Sequence, residues 1–259
     1  MKNKKVKIIM GVIVGIFLFL FIFYPKYFIF APSFSNNSNL NSANHFKNLN
    51  LEAKAVLVFD LVKNEPIFDI NPEAQLPLAS LTKIMTAVVA QEIAPEDISN
   101  LIDAALAQSS NKAASTLASM DKNFIGLMNK KAEELNLNQT YFLNETGLDV
   151  SKETAGAFGS ANYVVKIIKY ALKTNQDLFE ATTNNLTINS NPYASTTTLL
   201  IASKTGLTDL AGGNLAIVFD AGFNHPIISV VLGSTEEGRF TDTQKLINAI
   251  FKYLTTNNQ

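Results

Sequence analysis

Ser80 stands three residues before Lys83 at the start of a segment with helical periodicity, which puts a hydroxyl and an ammonium on one helix face. That pair suits nucleophilic catalysis. A lysine depressed by burial and by a second nearby cation can deprotonate the serine, and a helix N-terminus offers free N–H groups to a developing oxyanion. Two more S-x-x-K spacings occur, Ser109–Lys112 and Ser119–Lys122. About one such spacing arises by chance in a chain of this length, and each reads equally as an N-cap serine followed by a surface lysine. Spacing alone leaves all three open. Other chemistries are narrower still. The chain lacks Cys, which excludes a thiolate nucleophile, a thiolate metal site, a disulfide framework and a lipid-modified cysteine. Its two histidines are too few for a histidine-rich metal centre. His225 precedes Pro226 in a tight turn and reads as a surface residue, and His45 reads as an exposed polar residue in a linker. A hydrolase built from this chain takes lysine, not histidine, as its base.

Two further patterns bear on the choice. Ser109-Ser110-Asn111 gives S-x-N between two helical stretches, and Lys204-Thr205-Gly206 gives K-T-G after an apolar strand. Serine-lysine, S-x-N and K-T-G, in that order, form the signature set of penicillin-binding proteins and class A β-lactamases. The stretches PLASLTKIMTA (Pro77–Ala87), FIGLMNKKAEELNLNQTYFLNETGLD (Phe124–Asp149), SKTGLTDLAGGNLAIV (Ser203–Val218) and ISVVLGSTEEGRF (Ile228–Phe240) extend the match. Together they resemble the D-alanyl-D-alanine carboxypeptidase family of serine peptidases over nearly all of residues 52–254.

The resemblance selects Ser80 among the three serines. It implies an α/β fold of the α+β kind, β-lactamase/transpeptidase-like, with a five-stranded antiparallel sheet and a helical region. It implies that Ser80 attacks the penultimate D-Ala carbonyl of a peptidoglycan stem peptide, that Lys83 takes its proton, and that Ser109 relays a proton to the leaving amine. Asn111 would bind the substrate backbone. Lys204 would tune Lys83 and, with Thr205 and Arg239, hold the terminal carboxylate; Gly206 completes K-T-G. The backbone N–H groups of Ser80 and Leu207 would form the oxyanion hole. No cofactor or metal is implied, and β-lactams are the implied covalent inhibitors. A D,D-endopeptidase, a β-lactamase, or a non-catalytic wall-binding relative are the alternatives on the same scaffold. The Ser80–Ser109 interval is shorter than in typical members, which place there a segment walling the groove, and the approach to K-T-G from Thr187 to Ser203 is abbreviated as well.

These residues need elements to hold them. Ala55–Leu61 and Pro66–Ile70 read as a hairpin around Lys63-Asn64. Helical patterns follow at Ser80–Gln91, Ile98–Ala107, Lys112–Met120, Phe124–Leu135 and Ala161–Lys173. Leu199–Ser203, Leu215–Phe219 and Ile227–Leu232 read as strands, the last two joined by a turn at Gly222–Pro226, before a final helix from about Thr241 to Leu254. Two strands, then helices, then three strands and a helix predict an antiparallel sheet covered by helices, not a parallel βαβ series.

Residues 1–32 read as an N-terminal membrane anchor. Lys2, Lys4, Lys5 and Lys7 precede an uncharged run from Ile8 to Tyr24, which Tyr27 to Ala31 extend if Lys26 snorkels. The lysine flank keeps the N-terminus cytoplasmic and the rest outside the cell membrane, and no A-x-A-like cleavage site follows. Residues 33–50, rich in Asn and Ser, read as a linker, and residues 51–259 as the catalytic domain. The net charge of −1 hides an asymmetry: residues 1–50 hold six Lys and no acid, which leaves 15 basic against 22 acidic residues, net −7, beyond them. That remainder lacks the basic face that nucleic acid requires.

Overall fold

The computed structural model describes residues 45–94, 98–183, 189–192, 199–222 and 224–257. The expected anchor and residues 33–44 of the expected linker lie outside the described residues. Among the described residues no helix is long and apolar enough to cross a membrane. In chain order the elements are β1 (Ala55–Asp60), β2 (Glu65–Ile70), a short β3 (Leu76–Pro77), a 3-10 turn at Ala79–Leu81, α1 (Thr82–Ile93), α2 (Ser99–Leu106), α3 (Asn111–Ala118), α4 (Phe124–Glu134), β4 (Tyr141–Phe142), β5 (Ala157–Gly159), α5 (Ala161–Thr174), a 3-10 segment at Gln176–Thr182, β6 (Leu200–Thr208), β7 (Gly212–Asp220), β8 (Pro226–Ser234) and α6 (Gly238–Asn257).

The main sheet runs β2-β1-β8-β7-β6, with every neighbouring pair antiparallel, as the order of elements predicts. Its three central strands, β1, β8 and β7, are buried on both faces because both faces are covered. Alternation of side chains sorts them: Ala55, Leu57, Ala216, Val218, Ile228 and Val230 join a core with α1 and α5. Val56, Val58, Leu215, Ile217, Phe219 and Val231 join a second core under α6. Helix α1 is buried continuously from Thr82 to Ala90, the burial expected of a helix apolar on all sides at the centre of a domain.

Four sequence expectations change. K-T-G lies within β6, which runs on to Thr208, and does not follow the strand. A second sheet, ordered β3-β5-β4, was not foreseen, since strands of two or three residues are too short to show an alternation. Residues 45–50 pack on the domain: Phe46 is buried and stacks on Phe68 with ring centroids 4.6 Å apart, and His45 meets the Tyr253 ring edge-on at 6.4 Å. His225 does occupy the β7–β8 turn, but its Nε2 lies 2.8 Å from Oδ2 of the fully buried Asp60, which joins that turn to the β1–β2 hairpin.

Candidate active site

Ser80 occupies the 3-10 turn that leads into α1, and no side chain caps that turn or α1, so the hydroxyl is not used as a helix cap. The preceding Ala79 has φ of 47°, a left-handed conformation that strains a non-glycine residue by about 1–3 kcal/mol. Its carbonyl is held by Thr82 Oγ1 at 2.7 Å. One turn on, Lys83 Nζ donates to Ser80 Oγ at 2.8 Å and to the Thr146 carbonyl at 2.8 Å. The lysine is wholly buried, and burial pulls its pKa down to about 8, although Glu145 opposes the shift. A lysine near 8 has a substantial neutral fraction at physiological pH and can act as a base.

The other two serine-lysine spacings do not form pairs of this kind. Lys112 and Lys122 are exposed, and Ser119 Oγ donates to the Thr116 carbonyl at 2.7 Å. Ser109 belongs to a different lysine: Lys204 Nζ donates to Ser109 Oγ at 2.8 Å and to the Thr205 carbonyl at 2.9 Å. Ser109 is also left-handed, with φ of 57°, and it directly precedes Ser110, whose Oγ caps α3 by accepting from Ala113 N at 3.2 Å. Asn111 is the exposed first residue of that helix. The short Ser80–Ser109 interval therefore still delivers the S-x-N serine to the K-T-G lysine. Burial drives the Lys204 pKa well down, aided by the charges of Lys83 and Arg239.

Strand β6 is an edge of the main sheet, so one side of its backbone has no strand partner. Gly206 sits where β6 passes the Ser80 turn. A Cβ there would stand 3.1 Å from the Leu78 carbonyl oxygen and 3.2 Å from Ser80 N, which only glycine avoids. Thr205 Oγ1 shares a 2.7 Å hydrogen bond with Ser190 Oγ, and Leu207, 40% exposed, is the next residue along the edge. Arg239, which the resemblance places with Lys204 and Thr205 at the terminal carboxylate, is only 9% exposed at the start of α6, where its Nη1 donates to the Gly206 carbonyl at 2.8 Å. Its buried Nε has no partner among the described residues.

Sequence reasoning missed the loop opposite. Asn144 Oδ1 accepts from Thr146 N and Gly147 N at 3.2 and 2.7 Å, and this turn aims the Thr146 carbonyl at Lys83. Gly147 has φ of +77°, and a Cβ on it would collide with the Ala79 carbonyl oxygen at 1.8 Å. Asp149 ties the loop to the β6–β7 turn by accepting from Thr208 Oγ1 at 3.0 Å and Leu210 N at 3.2 Å. The turn formers Asn144 and Gly147 were visible signals, but nothing local showed that the loop closes on Lys83.

The profile of the D-alanyl-D-alanine carboxypeptidase family matches residues 93–236, more than half of the chain. The chain belongs to that family. The matched span includes Ser109, Asn111 and the K-T-G strand of this carboxypeptidase relative but not Ser80, Lys83 or Arg239. The D-alanyl-D-alanine carboxypeptidase DacC of Escherichia coli is 26% identical, over 88% of this chain and 67% of that one. The D-alanyl-D-alanine endopeptidase of the same organism is 28% identical, over 72% of each. Among solved structures, penicillin-binding protein D2 from Listeria monocytogenes in its cefotaxime-bound form is similar with a TM-score of 0.70 and 25% identity, over 78% of this chain and 98% of that one. The fold of this family member is accordingly the mixed α/β, transpeptidase-like one, and the protein is a serine-type D-Ala-D-Ala carboxypeptidase.

Proposed function

We propose that the family reaction runs through a Ser80 acyl-enzyme with Lys83 as base. The observation that carries this reading is Lys83 Nζ at 2.8 Å from Ser80 Oγ, on a buried lysine whose pKa is near 8. Neutral Lys83 accepts the Ser80 proton as Oγ attacks the carbonyl of the penultimate D-Ala in a stem peptide. The oxyanion takes hydrogen bonds from the N–H groups of Ser80 and Leu207; loss of one such donor typically lowers the rate about 10²–10³-fold. Ser109, bonded to Lys204, relays the proton taken up by Lys83 to the departing D-Ala amine, which leaves Lys83 neutral to accept a proton from the incoming water. Water then releases the shortened peptide and restores Ser80. Arg239, whose Nη1 lies 2.8 Å from the Gly206 carbonyl, brings a guanidinium close to K-T-G, which suits a terminal carboxylate. An extended peptide can pair with the edge of β6, with Asn111 at the exposed start of α3 to bind its backbone.

β-Lactams, which acylate such a serine, serve as the probe. A labelled β-lactam should modify Ser80, Ser80→Ala should abolish the adduct while leaving the fold intact, and a D-Ala-D-Ala peptide should release D-Ala. An adduct on Ser109 or Ser119 would overturn the choice of nucleophile. Endopeptidase activity is the second reading, favoured by the 28% identity to an endopeptidase; release of D-Ala from linear peptides with no conversion of cross-linked dimers to monomers would dismiss it. The lysine-flanked apolar run supports a retained single-pass anchor with the domain outside the membrane. Protease added to spheroplasts should digest the domain, and full protection would refute that topology.

A further inference from the structure

Glu145 is outside every motif that marks the site, yet it touches three of the elements that build it. Its carboxylate Oε1 accepts from Ser115 Oγ at 2.6 Å, and Ser115 lies one turn beyond Asn111 on α3, the helix whose start carries S-x-N. Its backbone carbonyl accepts from Thr86 Oγ1 at 2.6 Å, on the face of α1 one turn after Lys83. The next residue, Thr146, supplies the carbonyl that receives Lys83 Nζ at 2.8 Å. One residue thus fastens α3 and α1 to the loop that holds the base.

Resting on the reading of Ser80 and Lys83 given above, we infer that Glu145 is a positioning residue for acylation. Its carboxylate latches the S-x-N helix to the Thr146 loop that holds Lys83, and its negative charge beside that loop favours the ammonium form of the lysine. The charges around Lys83 are few enough to assign. Lys204 on β6 is the neighbouring lysine, with its own pKa driven well down by burial and by the charges of Lys83 and Arg239, and Glu145 is the carboxylate that raises the Lys83 pKa against burial. Around Glu145 itself, Asp121 and Lys122 of the α3–α4 connection line the same recess, with opposite charges that offset each other. Stabilising the ammonium form delays the base. The same latch that orders the site therefore moves its working range upward in pH.

Two substitutions separate the latch from the charge. Glu145→Gln keeps an oxygen for Ser115 and removes the charge. Ser115→Ala keeps the charge and removes the latch. The measurement is the second-order rate of β-lactam acylation of the full chain from about pH 6 to about pH 9, with thermal melts of each variant to verify folding. For Glu145→Gln the acid limb should move to lower pH, with acylation about 3- to 10-fold faster on that limb and no gain on the plateau. For Ser115→Ala the limb should stay in place and the plateau should fall several-fold. An unmoved limb in Glu145→Gln overturns the charge assignment, and an unchanged plateau in Ser115→Ala overturns the latch. Absence of a Ser80 adduct in the unmodified protein would instead overturn the nucleophile reading on which both depend.

Discussion

Replacing Lys83 by Met should stabilise the protein at neutral pH while abolishing acylation, and the size of the effect follows from burial. Lys83 has a folded pKa of about 8 against an ordinary 10.5. That gap corresponds to about 3 kcal/mol. The sign is fixed by proton binding. Between pH about 8 and about 10.5 the unfolded chain holds the Lys83 proton and the folded chain does not, so stability rises with pH across this window. Below it both states are protonated, and the full penalty for burying the ammonium is present. Methionine fills a similar volume and carries no such penalty. Against that gain, the Thr146 carbonyl loses its partner, which costs about 1–3 kcal/mol. The net at pH 7 lies between neutral and about 2 kcal/mol in favour of the variant. The gain disappears near pH 10.5, where the wild type becomes the more stable by about the value of the lost hydrogen bond. Urea titrations of both proteins at several pH values from about 7 to about 10.5 measure the difference directly. If the two stability curves run parallel, the burial argument for a neutral Lys83 fails.

Three further outcomes can be checked. Gly206→Ala should slow β-lactam acylation at least about 10-fold with little change in melting temperature, because its Cβ, 3.2 Å from Ser80 N, forces β6 away from the Ser80 turn without touching either core. Arg239→Ala should lower kcat/KM for peptides with a free terminal carboxylate by about 10- to 150-fold, and for matched amides much less; equal losses on both would limit Arg239 to anchoring the Gly206 carbonyl. His225→Ala should lower stability by about 1–3 kcal/mol in urea titrations, because it leaves the buried Asp60 Oδ2 without its histidine, and it should leave acylation unchanged; a lost adduct would mean that histidine takes part after all.

The strands of the main sheet were legible because their apolar residues fill two cores at once, and the turns between them carry Asn and Gly. The boundary of β6 was not legible, since Lys204, Thr205 and Gly206 lack the apolar character of Ile201 and Ala202, and only pairing with β7 extends the strand through them. Phe46 was hidden by its Asn-rich surroundings, and its burial depends on Phe68 more than twenty positions later. Ser80, Lys83 and Lys204 could be singled out as candidates from motifs. The groups that make those lysines chemically useful could not, because Thr146 contributes a carbonyl and Glu145 acts across a tertiary contact. The burial of Arg239 was not legible either, because it follows from the approach of α6 to Gly213, whose Cβ position lies 3.2 Å from Arg239 Cδ.

The packing of Phe46 fixes where the polypeptide enters the domain. Phe46 rests on Phe68 of β2 and beside Tyr253 of α6, whereas the catalytic strand β6 forms the opposite border of the sheet. Four strand spacings, about 19 Å, separate the two borders. Phe46 therefore lies along the border of the sheet remote from β6 and does not cover that edge. The two borders can be varied independently: changes at Phe46 or Phe68 bear on the stability of the second core, and changes along β6 bear on the cleft.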